Sequence, residues 1–167
     1  MSALDSLTPD FPDKALDVVE HVLLGCDWAC ERSEEGVIHC ASMTKWGEFG
    51  GMFVWREQPA SLNFSLTLDL RAPNAKHSAI SELLRKINER LWLGHFDYWS
   101  DDGVAVFRHT IPMLDRIAPE PGEIAAVLTA ALDAADQFLP AFNFVVWAGK
   151  SAEEAVSAVV FETAGEA

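Results

Sequence analysis

Positive charge is scarce in this sequence. Its 167 residues hold 12 Lys and Arg against 26 Asp and Glu, a formal net charge of −14 at pH 7. Affinity for phosphate backbones rests on clustered Lys and Arg, so no nucleic-acid partner is expected. No uninterrupted apolar run reaches the roughly 20 residues that span a bilayer, and no membrane association is expected. The opening MSALDSLTPDF lacks a basic segment followed by an apolar one, so it is not read as a secretory signal. Cysteine is limited to three, an odd number that fits free thiols in a reduced cytoplasmic protein better than a disulfide framework. Nucleophile elbow, Walker loop, Gly-rich dinucleotide turn and HExxH are all missing. So are internal repeats and low-complexity linkers. No cofactor or catalytic residue is therefore assigned, and a non-enzymatic chain is expected.

What is present suits one globular domain: 50% hydrophobic and 23% charged residues, enough chain to bury a core. The expected division is a mobile leader over 1–10, a single domain over 11–162 and a short tail over 163–167. The chain is centred on residues 79–111. Ile80, Leu83, Leu84, Ile87 and Leu91 form one apolar stripe of a helix, with Glu82 and Arg85 at a favourable spacing off it. Gly94 is expected to end that helix. HFDYWS and VAVFRHT then flank Asp102-Gly103, a strong hairpin signal. Phe96 and Tyr98 should face one way, and His95, Asp97 and Trp99 the other.

Before this centre, Leu16, Val19 and Leu23 mark a helix of roughly 12–25 with Gly25 as its stop. Residues 26–70 read as antiparallel strands. Strict alternation of Leu62, Phe64, Leu66, Leu68 and Leu70 with polar residues makes the clearest of them. After the centre, Ile124, Val127, Leu128, Ala131, Leu132, Ala135 and Phe138 mark a helix of roughly 122–139. Pro140 should end or kink it, and AFNFVVWAG is read as a helical continuation. Ser151 with Glu154 forms a capping box for a last helix through about Phe161. The expected fold is α+β: a curved, mostly antiparallel sheet with helices on one side, in the order α-β-β-β-β-α-β-β-α-α.

Two constellations carry conceivable chemistry. Cys26, Cys30, His39 and Cys40 hold metal-ligating atoms, and a turn at Glu34–Gly36 would set Cys30 opposite Cys40. Adjacent His39 and Cys40 must point to opposite faces of a strand, however, so no metal site is assigned. His95, Asp97 and His109 flank the second hairpin and form a conceivable acid–base set for an enzyme or small-molecule binder. The same residues serve ordinarily as a solvated strand face. The six tryptophans are expected in the core.

INERLWLGHF (87–96), VFRHT (106–110), DQFLPAFNFVVWAGKSAEEA (136–155) and ETAGEA (162–167) together resemble the YbjN-domain family of bacteria, described as sensory-transduction regulators. Leu139 stands where that family usually has an aromatic residue before the proline. The resemblance implies a fold similar to type III secretion chaperones, often dimeric, and transfers no catalytic residue. It implies a regulatory or chaperone-like protein-binding module with an unnamed protein partner. Leu91, Trp92, Leu93, Phe96, Tyr98 and Trp99 offer more apolar surface than one helix face and one sheet face should bury. They form the expected interface, with a homodimer as the expected assembly.

Overall fold

Alternation makes β4 (Ala60–Leu68) the spine of the sheet. Leu62, Phe64, Leu66 and Leu68 are buried on one face, and Asn63, Ser65 and Thr67 are half-exposed on the other. The computed structural model describes residues 11–34 and 36–165. The expected leader and the last two residues of the expected tail lie outside that range.

Three successive hairpins build the first part of the sheet: β1 (Ala29–Glu34), β2 (Val37–Thr44), β3 (Gly47–Glu57) and β4. The chain then leaves the sheet through a short 3-10 turn (Asn74–Lys76) and a helix, α2 (His77–Asn88). It returns as β5 (His95–Trp99), turns over residues 100–103, and runs back as β6 (Val104–Pro112). The strand order is β1-β2-β3-β4-β6-β5, and every neighbouring pair is antiparallel. β6 is thus inserted between β4 and β5, and α2 is the crossover that makes room for it. Composition explains the placement. Ala105, Val106 and Phe107 are buried in succession, as a central strand requires, whereas β5 has only five residues and sits at the edge.

Four helices complete the α+β fold. In α1 (Phe11–Gly25), Ala15, Leu16, Val19 and Leu23 pack against β1, β2 and the third helix. The helix ends at Gly25 as expected, and the left-handed residue that redirects the chain is Asp27 (φ 61°). α3 (Pro121–Val146) contacts β4 and β6 and is longer than the 122–139 expected. It continues past Pro140, which does not end it. The lost hydrogen bond and ring clash cost about 3 kcal/mol, which burial of Phe142, Val145 and Val146 at about 1.5–3 kcal/mol each offsets. By length and composition α3 could cross a membrane, although no uninterrupted apolar run flagged it. In this fold it is a core helix, with Ile124, Val127, Ala131, Phe138 and Phe142 almost fully buried. α4 (Ala152–Gly165) lies against α2 and α3. Its capping box is present: the Ser151 backbone N–H donates to Glu154 Oε2 (3.1 Å), and the Glu154 N–H donates to Ser151 Oγ (3.2 Å). The helix continues to Gly165, past the expected end at Phe161.

The central helix is shorter than its stripe. Ile80, Leu83 and Ile87 are buried, but α2 ends at Asn88, and Gly94 falls in the loop beyond. Gly94 has another task. Its φ is +71°, and a Cβ there would stand 2.3 Å from the Phe107 ring. The loop passes that close to the sheet only because position 94 has no side chain. On the far face of the sheet, His39, Met52, Arg108 and His95 remain open to solvent.

Candidate interaction surface

The junction of α2 with β5 is held by one side chain. Asn88 is the last residue of α2, and its carboxamide reaches the free edge of β5. The Phe96 backbone N–H donates to Asn88 Oδ1 (2.8 Å), and Asn88 Nδ2 donates to the Phe96 carbonyl (3.0 Å). A carboxamide presents a donor and an acceptor side by side, as a neighbouring strand would. Two residues on, the Tyr98 N–H donates to Asp97 Oδ1 (2.9 Å). Side chains therefore occupy the outward-facing groups at the centre of this edge, and strand addition by another chain is blocked there.

The residues expected at an interface fall into three environments. Phe96 is a core residue, edge-on to Phe107 (5.7 Å) and Phe142 (5.5 Å). Leu91, Leu93 and Tyr98 are half-buried and packed against the core. Tyr98 lies edge-on to His77 at 5.0 Å. Its hydroxyl and His77 Nε2 are both buried with no hydrogen-bond partner among the described residues, and burial raises the phenol pKa. Trp92 and Trp99 point outward, 78% and 41% exposed. Trp92 lies in the loop before β5, and Trp99 is the last residue of that strand.

Exposed tryptophan is not confined to this corner. Of the six, Trp28 is buried and Trp55 half-buried, whereas Trp46, Trp92, Trp99 and Trp147 are exposed. The expectation that tryptophan fills the core holds for Trp28 and fails for these four. Trp46 is held flat by a hydrogen bond from its Nε1 to Asp136 Oδ1 (2.9 Å), with Lys45 on the same carboxylate. Composition could flag six tryptophans but not which were covered, because that depends on where α3 and α4 pack.

The electrostatics of α2 differ from the rest of the molecule. Arg85 is shared between Glu82 (2.8 Å) and Glu89 (2.5 Å). Among the described residues, Lys86 of α2 and its flanking Lys76 and Arg90 form no ion pair, so the segment around this helix is locally basic on a chain of net charge −14.

The acid–base set does not assemble. His95 and Asp97 share the open face of the sheet, while His109, paired with Phe64, points into the other. Asp97 Oδ2 is engaged by Arg108 Nη1 at 3.0 Å. Burial lowers the His109 pKa, and His95 lowers it further through space across the end of the strand. No hydrogen bond joins the three among the described residues.

The metal-ligating residues are divided in the same way. Cys30 is directly opposite Cys40, as the turn at Gly36 implies, with both on the core side. His39 is exposed on the other face, and Cys26 is exposed in the turn after α1. Among the described residues no cluster of three or more ligating side chains forms.

This architecture is shared with solved structures. A chain in the crystal structure of the ExsC–ExsE complex superposes with a TM-score of 0.53 at 14% identity, covering 77% of this chain and 92% of that one. YbjN from E. coli superposes with a TM-score of 0.49 at 10% identity, covering 71% of this chain and 84% of that one. The first of these likenesses shows a fold of the type III secretion chaperone kind. No curated relative matches the sequence significantly. The profile of one family, described as "Putative bacterial sensory transduction regulator", matches residues 15–144. With most of its length matched in this way, the chain belongs to the YbjN family.

Proposed function

We propose that this protein is a non-enzymatic, cytoplasmic regulatory module that pairs with a second copy of itself and holds another polypeptide. The observation that carries the reading is Trp92, 78% exposed beside a strand edge that side chains have sealed. An exposed tryptophan on a well-packed base is the usual anchor of a protein contact. Its chain neighbours Leu91 and Leu93 pack against the core and fix its position, and Trp99, the last residue of β5, adds a second exposed ring. Family membership supports a regulatory role. The chain of similar fold was crystallised in a complex with a second protein, which supports polypeptide as the ligand class.

With the β5 edge sealed, the contact is made by side chains. Trp92→Asp leaves the core untouched and sets a charge at the centre of the contact. Light scattering should find the wild type dimeric and the variant monomeric, with unchanged far-ultraviolet circular dichroism. A wild type that stays monomeric at high micromolar concentration would refute the homodimer. The partner is to be sought by affinity purification from the native host, with the Trp92→Asp chain as the control that should lose it.

A further inference from the structure

Cys30 and Cys40 stand directly opposite each other in the β1–β2 pair, and both turn toward the core. Directly opposed residues of antiparallel strands have Cα atoms about 4.5–5.5 Å apart. That range lies inside the roughly 4.4–6.8 Å a disulfide spans. The thiols also sense one another: negative charge on Cys30 makes Cys40 harder to ionise. Both are free thiols in this structure. β1 is an edge strand, held by β2 on one side and by α1 across its inner face. The grip of α1 runs through Arg32, two residues from Cys30, which pairs with Asp17 (2.5 Å) and Glu20 (3.2 Å).

The geometry points to a redox-sensitive staple, in which Cys30 and Cys40 join when the surrounding thiol pool is oxidised and lock β1 to the sheet. The oxidant is a small-molecule disulfide such as oxidised glutathione. The Cys30 thiolate attacks one sulfur of that disulfide, forming a mixed disulfide and releasing one thiolate. The Cys40 thiolate then attacks the Cys30 sulfur, forming the Cys30–Cys40 bond and releasing the second. One disulfide is consumed and two small thiols leave, the protons given up by the two protein thiols ending on the released thiolates.

The surroundings set the speed. Burial raises both thiols, Cys40 to about 12, and Glu20 adds to the rise at Cys30. Thiolate is scarce at neutral pH, so the staple closes slowly and faster as pH rises. The exposed Cys26 reacts first and acquires only an adduct. This separation makes the staple a record of sustained oxidation rather than of a brief pulse.

The test uses the full chain carrying Cys26→Ser. The substitution is needed because Cys26 and Cys30 share one tryptic peptide (15–32), while Cys40 lies in the next (33–45). The protein is equilibrated with oxidised glutathione above neutral pH, alkylated and weighed. Two protein thiols should disappear together, with loss of two hydrogen atoms and no retained glutathione, and the two peptides should be joined. Hydrogen exchange of the β1 and β2 amides should slow on the order of tenfold in the stapled form. Two free thiols at equilibrium, a glutathione retained on Cys30, or a disulfide between two chains would each overturn the assignment. Unchanged exchange after the bond forms would show a crosslink that locks nothing. Cys30→Ser, at a half-buried position, should leave Cys40 unable to form any intramolecular bond.

Discussion

At the scale of single residues, two positions are constrained by surroundings that the local sequence does not show. Gly94 combines a φ of +71° with a missing Cβ 2.3 Å from Phe107. Ala there must strain the backbone and displace a core ring at once. Gly94→Ala should cost about 2–4 kcal/mol in urea unfolding. An ordinary loss of about 1 kcal/mol would mean that the loop can retreat. Glycine at 94 is readable from sequence as a break, but Phe107 as the ring above it depends on the β6 register. His109 makes a prediction about pH. Burial, with His95 nearby, holds its folded-state pKa below the usual 6.5. Between the lowered value and 6.5 the unfolded chain binds a proton that the folded chain does not, so stability rises with pH across that window. It is lost as pH falls through it. Thermal midpoints measured between about pH 5.5 and 7 should slope upward with pH. His109→Gln should flatten that slope, since the other histidines are common to both chains. An identical slope in the variant would remove His109 as its source.

At the scale of elements, the ends of the sheet need protection, and each end has its own device. β5 has the Asn88 carboxamide on Phe96. β1 carries an inward-pointing Arg32 and a register shift between Arg32 and Glu34. An inward-pointing charge and a bulge are both deterrents to edge pairing. Asn88→Ala deletes two hydrogen bonds and leaves the Phe96 N–H and carbonyl without a protein partner. Stability should fall by about 1–3 kcal/mol, and size-exclusion chromatography should show association that grows with concentration. Loss of stability without new association would mean that the edge is guarded by something other than Asn88. The elements themselves were largely legible. The period-two alternation of β4, the glycine turns of the hairpins and the Ser151–Glu154 cap all act locally. Strand order was not, because alternation says which way a side chain faces and not which distant strand lies beside it. The continuous apolar run of β6 was the available sign that it is central, and its pairing with β4 across the α2 crossover is a tertiary outcome. The end of α2 escaped for a similar reason. The apolar stripe continues to Leu91, but the helix stops at Asn88, whose carboxamide bonds β5.

At the scale of the whole molecule, charge and apolar contact act against each other in the proposed dimer. Two chains of net charge −14 repel at long range. The anchor at Trp92 is apolar and insensitive to salt, whereas the segment around α2 offers Lys76, Lys86 and Arg90, which form no ion pair among the described residues. These two features predict opposite responses to ionic strength. If the aromatic surface makes the contact, screening removes repulsion and leaves attraction intact. The dimer should then tighten as salt rises from about 0.01 M, where the screening length is about 30 Å, to about 0.15 M, where it is about 8 Å. If the basic helix of one copy docks on acidic surface of the other, the same salt should weaken the dimer. The aromatic reading is preferred because Trp92 is flanked by Leu91 and Leu93, which pack against the core, whereas surface ion pairs are worth about 0–1 kcal/mol each. Sedimentation equilibrium across that range of salt decides the matter: dissociation that grows with salt would transfer the interface from Trp92 to the basic face of α2.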